Sequence, residues 1–435
     1  MSETSPLSGA KAIHFIGIGG IGISAIARMM LAEGKKVSGS DREGSKVTDE
    51  LGKLGATLFL GGQKAGQVPA DCDLVIYTQA LGADNPELAE ARSRGIAMMT
   101  YPQALHEISS RKFTIAVSGT HGKTTTTAMT AQILLDAKLD PTVIVGSLMK
   151  GIDSNFIAGK GPHFLVEADE YKRSFHSLEP KILSINNLDE DHLDYYKDLA
   201  DIQQAFGDLA ARIPSDGFLI CNTSDPHLAP VIARVKCAVL DYMDTDLSDW
   251  DLKVPGSHNR RNAQVAATIA KALGIGLEVA GAALARFEGT WRRFEYKGET
   301  EQGAIVYDDY AHNPQKVEAA LQGAREAFPD KRIIVVFQPH LYSRTKTLFD
   351  QFKVAFKSAD HAILAPIYAA REPHDPTITS EMLCDAICVE GGKAVCLSDF
   401  ASIEDHLRGF LKKDDVLITM GAGDVYKIGE AVIKR

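Results

Sequence analysis

Apolar runs of strand length alternate with helical patterns along almost all of this 435-residue chain. From Ala12 the sequence AIHFIGIGGIGISAIARMMLAEGKKVSGSD reads as a strand, a glycine turn, a helix and a second short strand ending at Asp41. DLVIYTQAL then predicts a strand and loop, and NPELAEARSRGI a helix. The stretch FTIAVSGTHGKTTTTAM, Phe113 to Met129, repeats the strand, glycine turn and helix order. HFLVEADE, KILSINN and GFLICN are further strand-length runs, and VPGSHNRRNAQVAATIAKALG is a turn leading into an alanine-rich helix. After FEGTWRRFEYKGE, read as a hinge region, come four strand runs, AIVYDDYAHNP, RIIVVFQPH, HAILAPI and DVLITMGAG. The helical patterns PQKVEAALQGAREAF, TKTLFDQFKVAFKSA and SEMLCDAI separate them. This alternation predicts an α/β protein with largely parallel sheets.

The breaks in the pattern predict three domains. Residues 1–107 read as a Rossmann-like domain, 108–290 as a central P-loop ATPase domain, and 291–435 as a second Rossmann-like α/β domain. Hydrophobic residues at 45% and charged ones at 24% suit packed cores of that kind. A net charge of −10 argues against nucleic acid as a partner. The six cysteines form no C-x-x-C pair, which predicts reduced thiols. No signal-peptide core and no run of 18 apolar residues occurs, so a soluble cytoplasmic protein without membrane insertion is expected.

The two glycine turns carry the first candidate chemistry. Gly17, Gly19 and Gly22 have G-x-G-x-x-G spacing, and Asp41 stands where a dinucleotide fold keeps its ribose-binding acid. That spacing alone leaves NAD(P), another nucleotide diphosphate and simple close packing open. The second turn, Gly119 to Thr124, predicts a triphosphate cradle in which backbone amides and a helix N-terminus face the phosphates. Lys123 is then placed to reach the β/γ-phosphates and Thr124 to offer a hydroxyl to Mg²⁺. Only two residues separate its glycines, fewer than in the usual G-x-x-x-x-G-K-[ST]. Lys123→Ala is expected to abolish turnover and leave the fold intact, the side chain lying in a solvated site.

Polar residues gather at the predicted strand ends, where open α/β sheets bind ligands. In the central domain these are Glu167, Asp169, Glu170, Asn187 and the Asp189 to His192 group, with Glu167 and His192 as candidate metal ligands. His258 and Asn259 either cap the alanine-rich helix or contact adenine. The last domain offers Asp308, Asp309, Tyr310 and His312, then Gln338, His340 and Arg344, then Asp424. An enzyme that activates a carboxylate with ATP needs a nucleotide-linked acceptor site, an ATP site and a place for an amine. Closure of a third domain would shield an acyl phosphate from water.

In this order the chain carries HFIGIGGIGIS, SGTHGKTTTT, VEADE, NLDEDHLD, GSHNRRNA, RRFE, DDYAHNP, FQPHLYSRT, IYAAREP and GAGD. From about residue 11 to its C-terminus it resembles the Mur ligases, ATP-dependent amide ligases of peptidoglycan precursor synthesis. FQPH and IYAAREP are similar to the L-alanine-adding branch. The resemblance implies UDP-N-acetylmuramate and L-alanine as substrates, ATP and Mg²⁺ as cofactors, and a monomer or homodimer. A recycling ligase adding a tripeptide to the same nucleotide is the sibling alternative, and a regulatory P-loop ATPase lies outside the class. By resemblance, Gly17, Gly19, Gly20 and Gly22 hold the pyrophosphate of the UDP-sugar, which displaces the NAD reading. Gly119, Thr120, His121, Gly122, Lys123, Thr124 and Thr125 hold ATP. Thr124 with Glu167 would bind one Mg²⁺, and Glu167 with His192 a second. His258, Asn259 and Asn262 form the nucleotide-binding amide motif. Arg293 goes to phosphate, Asp309 to the ribose side, and His340 and Arg344 to the amino acid and muramoyl group. Asn313 in place of a second histidine, Leu341 after QPH, and Thr78-Gln79-Ala80 depart from the family pattern.

Overall fold

Buried strands whose residues are almost all apolar need cover on both faces, and parallel sheets flanked by helices provide it. The computed structural model describes residues 6–433 apart from 79, 80, 83, 153, 193, 194 and 371. Gln79 and Ala80, the last two residues of NLDEDHLD, and Arg371 of IYAAREP therefore lie outside the described residues. The chain forms a three-domain α/β architecture with three sheets, divided between two compact units. One unit is Met1–Trp250 with Asn262–Ala285, and the other is Asp251–Arg261 with Arg286–Arg435.

The first unit carries two sheets. Strands β1 (Ala12–Ile16), β2 (Lys36–Asp41), β3 (Thr57–Leu60), β4 (Leu74–Tyr77) and β5 (Ala97–Thr100) lie in the order β3-β2-β1-β4-β5, all parallel. The order reverses between β1 and β4, so the glycine turn after β1 stands at a topological switch point. The second sheet has β6 (Phe113–Ser118), β7 (Thr142–Met149), β8 (Ser154–Ile157), β9 (His163–Glu167), β10 (Ile182–Ile185), β11 (Phe218–Cys221) and β12 (Ala238–Asp241). Their order is β12-β11-β10-β6-β9-β7-β8, with β8 antiparallel to β7. Strand β6 thus lies between β9 and β10, which brings the ends of both beside the phosphate turn.

These two sheets share one hydrophobic core. Phe15, Ile26 and Met30 from the first belong to the same buried cluster as Phe156, Phe164 and Val166 from the second. Buried Asn155 fastens the join by donating to the Ile21 carbonyl and, at 3.2 Å, to Ser24 Oγ. Residue 107, placed by the sequence reading at a domain boundary, lies inside the helix Tyr101–Ser109.

The second unit has β13 (Glu295–Glu299), β14 (Ile305–Asp309), β15 (Ile333–Phe337), β16 (His361–Leu364), β17 (Ala394–Cys396) and β18 (Val416–Met420). The order is β13-β14-β18-β15-β16-β17, parallel except where β13 meets β14. The stretch TKTLFDQFKVAFKSA, expected as one helix, breaks into helices Tyr342–Thr347 and Phe349–Phe352 followed by turns. Tertiary packing outweighs helical propensity there, because Phe352 and Phe356 both turn inward against Phe337, with ring centroids 5.5 and 5.3 Å away.

Candidate active site

The phosphate turn is built as the spacing predicts. Strand β6 ends at Ser118, Gly119 and Gly122 take φ of +126° and +79°, and the helix Lys123–Asp136 follows. Two features pin the loop. Thr120 N donates to the Asn187 carbonyl at 3.1 Å, and His121 N donates to Asn187 Oδ1 at 2.8 Å. The first turn of the helix, with no earlier carbonyls to bond, directs its amides outward as an anion site. Half-buried Thr125 lies in that same turn. A Cβ on Gly122 would lie 2.2 Å from Asn262 Oδ1, so the expected nucleotide amide packs directly against the turn. Gly122→Ala combines that clash with an unfavourable φ and is expected to cost about 2 kcal/mol or more, read by chemical denaturation.

Strand ends complete this part of the site. Thr124 Oγ1 donates to Glu167 Oε1 at 2.8 Å, and Glu167 Oε2 accepts the Gly146 amide at 2.6 Å. Lys123 Nζ donates to Glu170 at 2.8 Å and to the Gly119 and Thr120 carbonyls at 2.7 and 3.3 Å. Burial opposes the ammonium charge, but Glu170, Asp169 and Glu167 outweigh it and hold its pKa above the ordinary value. The sequence reading missed this pairing and treated Lys123 as solvated, whereas its side chain is 14% exposed and that of Glu170 only 4%. Metal-capable groups also differ from the expected set. Among the described residues, Asp169, Glu170 and His192 bring donor atoms within 4.8 Å of one another, and Glu167 is not in that group. Burial, then Glu170, raises the Asp169 pKa. His192 takes φ +55° and sets Nε2 3.7 Å from Glu170 Oε1.

At the first glycine turn most amides are already engaged. Gly17 N and Ile18 N donate to the Ser40 carbonyl at 2.9 and 3.0 Å, and Gly20 N donates to the Gly17 carbonyl at 3.1 Å. Asp41, the expected ribose acid, accepts from Gly19 N at 2.7 Å and from Arg42 N at 2.7 Å. The amides left to face a ligand there are those at the start of the helix Ile21–Ala32, for which Gly20 is the N-cap. Gly22 is needed for close approach, since a Cβ there would lie 2.7 Å from the Tyr101 hydroxyl.

In the second unit, Gly256 caps the alanine-rich helix, its carbonyl accepting Asn259 N and Arg260 N at 3.1 and 3.2 Å. The capping role considered for His258 and Asn259 is thus filled by Gly256. Asn259 Nδ2 instead donates to the Pro255 carbonyl at 2.7 Å, and the His258 ring wedges between Gly256 and Gly323. Asp309 turns both carboxylate oxygens to backbone amides, those of Phe294 and Ala311, each at 2.7 Å. Burial raises its pKa despite neighbouring Arg293. Arg293 lies over the Tyr310 ring at 5.3 Å. Tyr310, His312 and His340 then follow in ring contact at 5.1 and 6.0 Å, and Arg344 Nη1 meets His340 Nδ1 at 3.1 Å. Burial, then Arg344, lowers the His340 pKa to about 4. Asn313 accepts the Lys316 amide at 2.9 Å as N-cap of the helix Pro314–Ala327, a job for which asparagine is well suited. Leu341 takes φ +71° at the start of the helix Tyr342–Thr347.

Three family models match consecutive stretches of the chain. The Mur ligase family catalytic domain covers residues 12–113, the Mur ligase middle domain 117–283, and the Mur ligase glutamate ligase domain 292–423. The chain belongs to the Mur ligase family. It is 42% identical over 452 residues to the UDP-N-acetylmuramate–L-alanine ligase of Clostridium kluyveri, covering 98% of each. The same-named enzyme of Clostridium novyi is also 42% identical, over 98% of this chain and 97% of its own. Among solved structures, the UDP-N-acetylmuramate–alanine ligase of Thermotoga maritima matches with a TM-score of 0.81 and 29% identity, covering 96% of this chain and 97% of that one. A murein peptide ligase from Psychrobacter arcticus shares the fold, with a TM-score of 0.72 at 24% identity over 97% and 98% of the chains. As a Mur ligase, the protein keeps its phosphate turn and the facing acids in one unit and Arg293, Asp309 and His340 in the other.

Proposed function

We propose that this Mur ligase joins L-alanine to the carboxylate of UDP-N-acetylmuramate at the expense of ATP, in cytoplasmic peptidoglycan precursor synthesis. The observation that carries the reading is a phosphate turn faced by acids, in a chain that aligns over 98% of its length with ligases of that name. The divisions 1–107, 108–290 and 291–435 serve the UDP-sugar, ATP and the amine respectively. The start of the helix Ile21–Ala32 takes the UDP pyrophosphate, and Gly119 to Thr125 take the ATP phosphates. Lys123 leaves Glu170 to neutralise charge on the phosphoryl group as it passes to the muramoyl carboxylate. Thr124 with Glu167, and Asp169 and Glu170 with His192, are oxygen-rich sets suited to Mg²⁺. Bound Mg²⁺ would supply further charge neutralisation at the transferring phosphoryl group.

His258, Asn259 and Asn262 are assigned to the nucleotide, Arg293 to phosphate and Asp309 to the ribose side. The alanine amine attacks the acyl phosphate and the tetrahedral intermediate collapses to the amide, releasing phosphate. His340, with a pKa lowered to about 4, stays neutral at physiological pH; with Nδ1 accepting from Arg344, its Nε2–H is left to donate to an oxygen of the amino acid or the acyl group. Arg344 fixes that ring and offers its remaining donors to a carboxylate.

The test is substrate dependence. Purified protein with UDP-N-acetylmuramate, ATP and Mg²⁺ is expected to release phosphate only when L-alanine is added. Release with the tripeptide alone would transfer the reading to the recycling ligases. Equal release with glycine or L-serine would widen the amine specificity. ATP hydrolysis indifferent to the UDP-sugar would end the ligase reading.

A further inference from the structure

Arg292 has the surroundings of a part built for placement. Although a cation, it is 3% exposed. Its Nε donates to Asp308 at 2.8 Å, Nη1 to the Gly423 carbonyl at 2.9 Å and Nη2 to the Gly421 carbonyl at 2.5 Å. Three rings surround the guanidinium, those of Tyr426, Tyr310 and Trp291, with centroids 4.8, 5.3 and 5.8 Å away. The backbone of Arg292 is tied as firmly, its N–H to Glu295 Oε2 at 2.9 Å and its carbonyl to Tyr310 N at 2.7 Å. Asp308 itself accepts from Thr419 Oγ1 at 2.6 Å.

The turn that these contacts hold is strained. Arg292 and Phe294 take φ of +58° and +46°, conformations that side-chain-bearing residues rarely adopt, so surrounding contacts must impose them. Consecutive carboxylates do so on either side of Arg293. Asp308 grips the Arg292 side chain, and Asp309 grips the Phe294 amide at 2.7 Å. The strand ends of β14 and β18 are thereby locked to the one turn that presents Arg293. A buried ion pair adds little net stability compared with apolar packing, whereas a planar fork with fixed donor directions defines geometry well.

We propose that Arg292 is a positioning residue, a buried clamp with Asp308 that fixes the orientation from which Arg293 acts on the nucleotide. This rests on the assignment of Arg293 to ATP phosphate. The groups facing the clamp are Asp308 and Thr419 on β14 and β18, Glu295 at the start of β13, Asp309, and the Gly421 and Gly423 carbonyls.

The test compares Arg293→Ala, Arg292→Lys and the charge-free double variant Arg292→Met/Asp308→Asn, alone and combined with Arg293→Ala. Folding is read by circular dichroism and UDP-sugar affinity, and function by kcat and the KM for ATP. The double variant is expected to lower kcat/KM for ATP about tenfold or more while UDP-sugar binding holds. Arg292→Lys, which keeps the ion pair but loses the fork, should fall between it and wild type. On the Arg293→Ala background, replacing the clamp should add less than about twofold, because the two act as one unit. A folded double variant with wild-type ATP kinetics, beside an impaired Arg293→Ala, would overturn the clamp alone. So would fully additive losses, or a lower melting temperature with unchanged kinetics. Unchanged kinetics in Arg293→Ala itself would overturn the nucleotide assignment and the clamp with it. Should the double variant not fold, Arg292→Lys with wild-type kcat and KM overturns the clamp.

Discussion

Lys123→Ala is expected to abolish ligation and also to destabilise the protein, a combination that a solvated phosphate-site lysine would not produce. Removing the ammonium group eliminates charge neutralisation at the phosphoryl group, a loss of about 10³ in kcat by analogy with other electrostatic stabilisers. It also strands the Glu170 carboxylate, 4% exposed and paired to Lys123 at 2.8 Å. Breaking a buried ion pair from one side costs about 3 kcal/mol. Urea denaturation checks the second effect and phosphate release the first. The double variant Lys123→Ala/Glu170→Gln should regain most of the stability and none of the activity. A Lys123→Ala protein as stable as wild type would show that water reaches Glu170. Because Lys123 has its pKa raised in the folded state, its contribution is complete at neutral pH. It is lost only as pH climbs above the ordinary lysine value and through the folded pKa.

Glu167→Gln is expected to spare the fold and lower kcat by about 10² to 10³, the range of a lost electrostatic stabiliser. The glutamine carbonyl can still accept one of the two bonds that Glu167 takes from Thr124 and Gly146. What it loses is negative charge, and the Mg²⁺ concentration for half-maximal rate should therefore rise. An unchanged Mg²⁺ titration would remove Glu167 from the metal set and leave Asp169, Glu170 and His192 as the better candidates.

The glycine turns were legible because backbone shape and residue type are tightly linked there. Only glycine suits φ of +79° at residue 122 beside the Asn262 side chain. Strand ends were legible too, since parallel sheets place Glu167 and Asn187 beside the strand that feeds the phosphate turn. Side-chain partnerships were not. Nothing in VEADE tells which acid meets Thr124 and which meets Lys123, because that depends on where the chain turns after β9. RRFE likewise hides a division of labour between a buried arginine and its neighbour, set by positive φ values that carry no glycine signature. Strand β3 escaped notice because its apolar run is only three residues long, Leu58 to Leu60, and none of its residues is fully buried. Asn313 looked like a departure in chemistry, and its side chain is a helix cap.

The uninterrupted core between the first two sheets ties their unfolding together. With Asn155 gripping the helix that begins at the first glycine turn, opening of one sheet exposes apolar surface of the other. A ligand held at either turn therefore protects both, by the same mass-action term, about 2.7 kcal/mol at one hundred times its dissociation constant. A ligand at the first glycine turn would thus stiffen the second through their common core, and a cavity cut near Ile26 would loosen both turns at once.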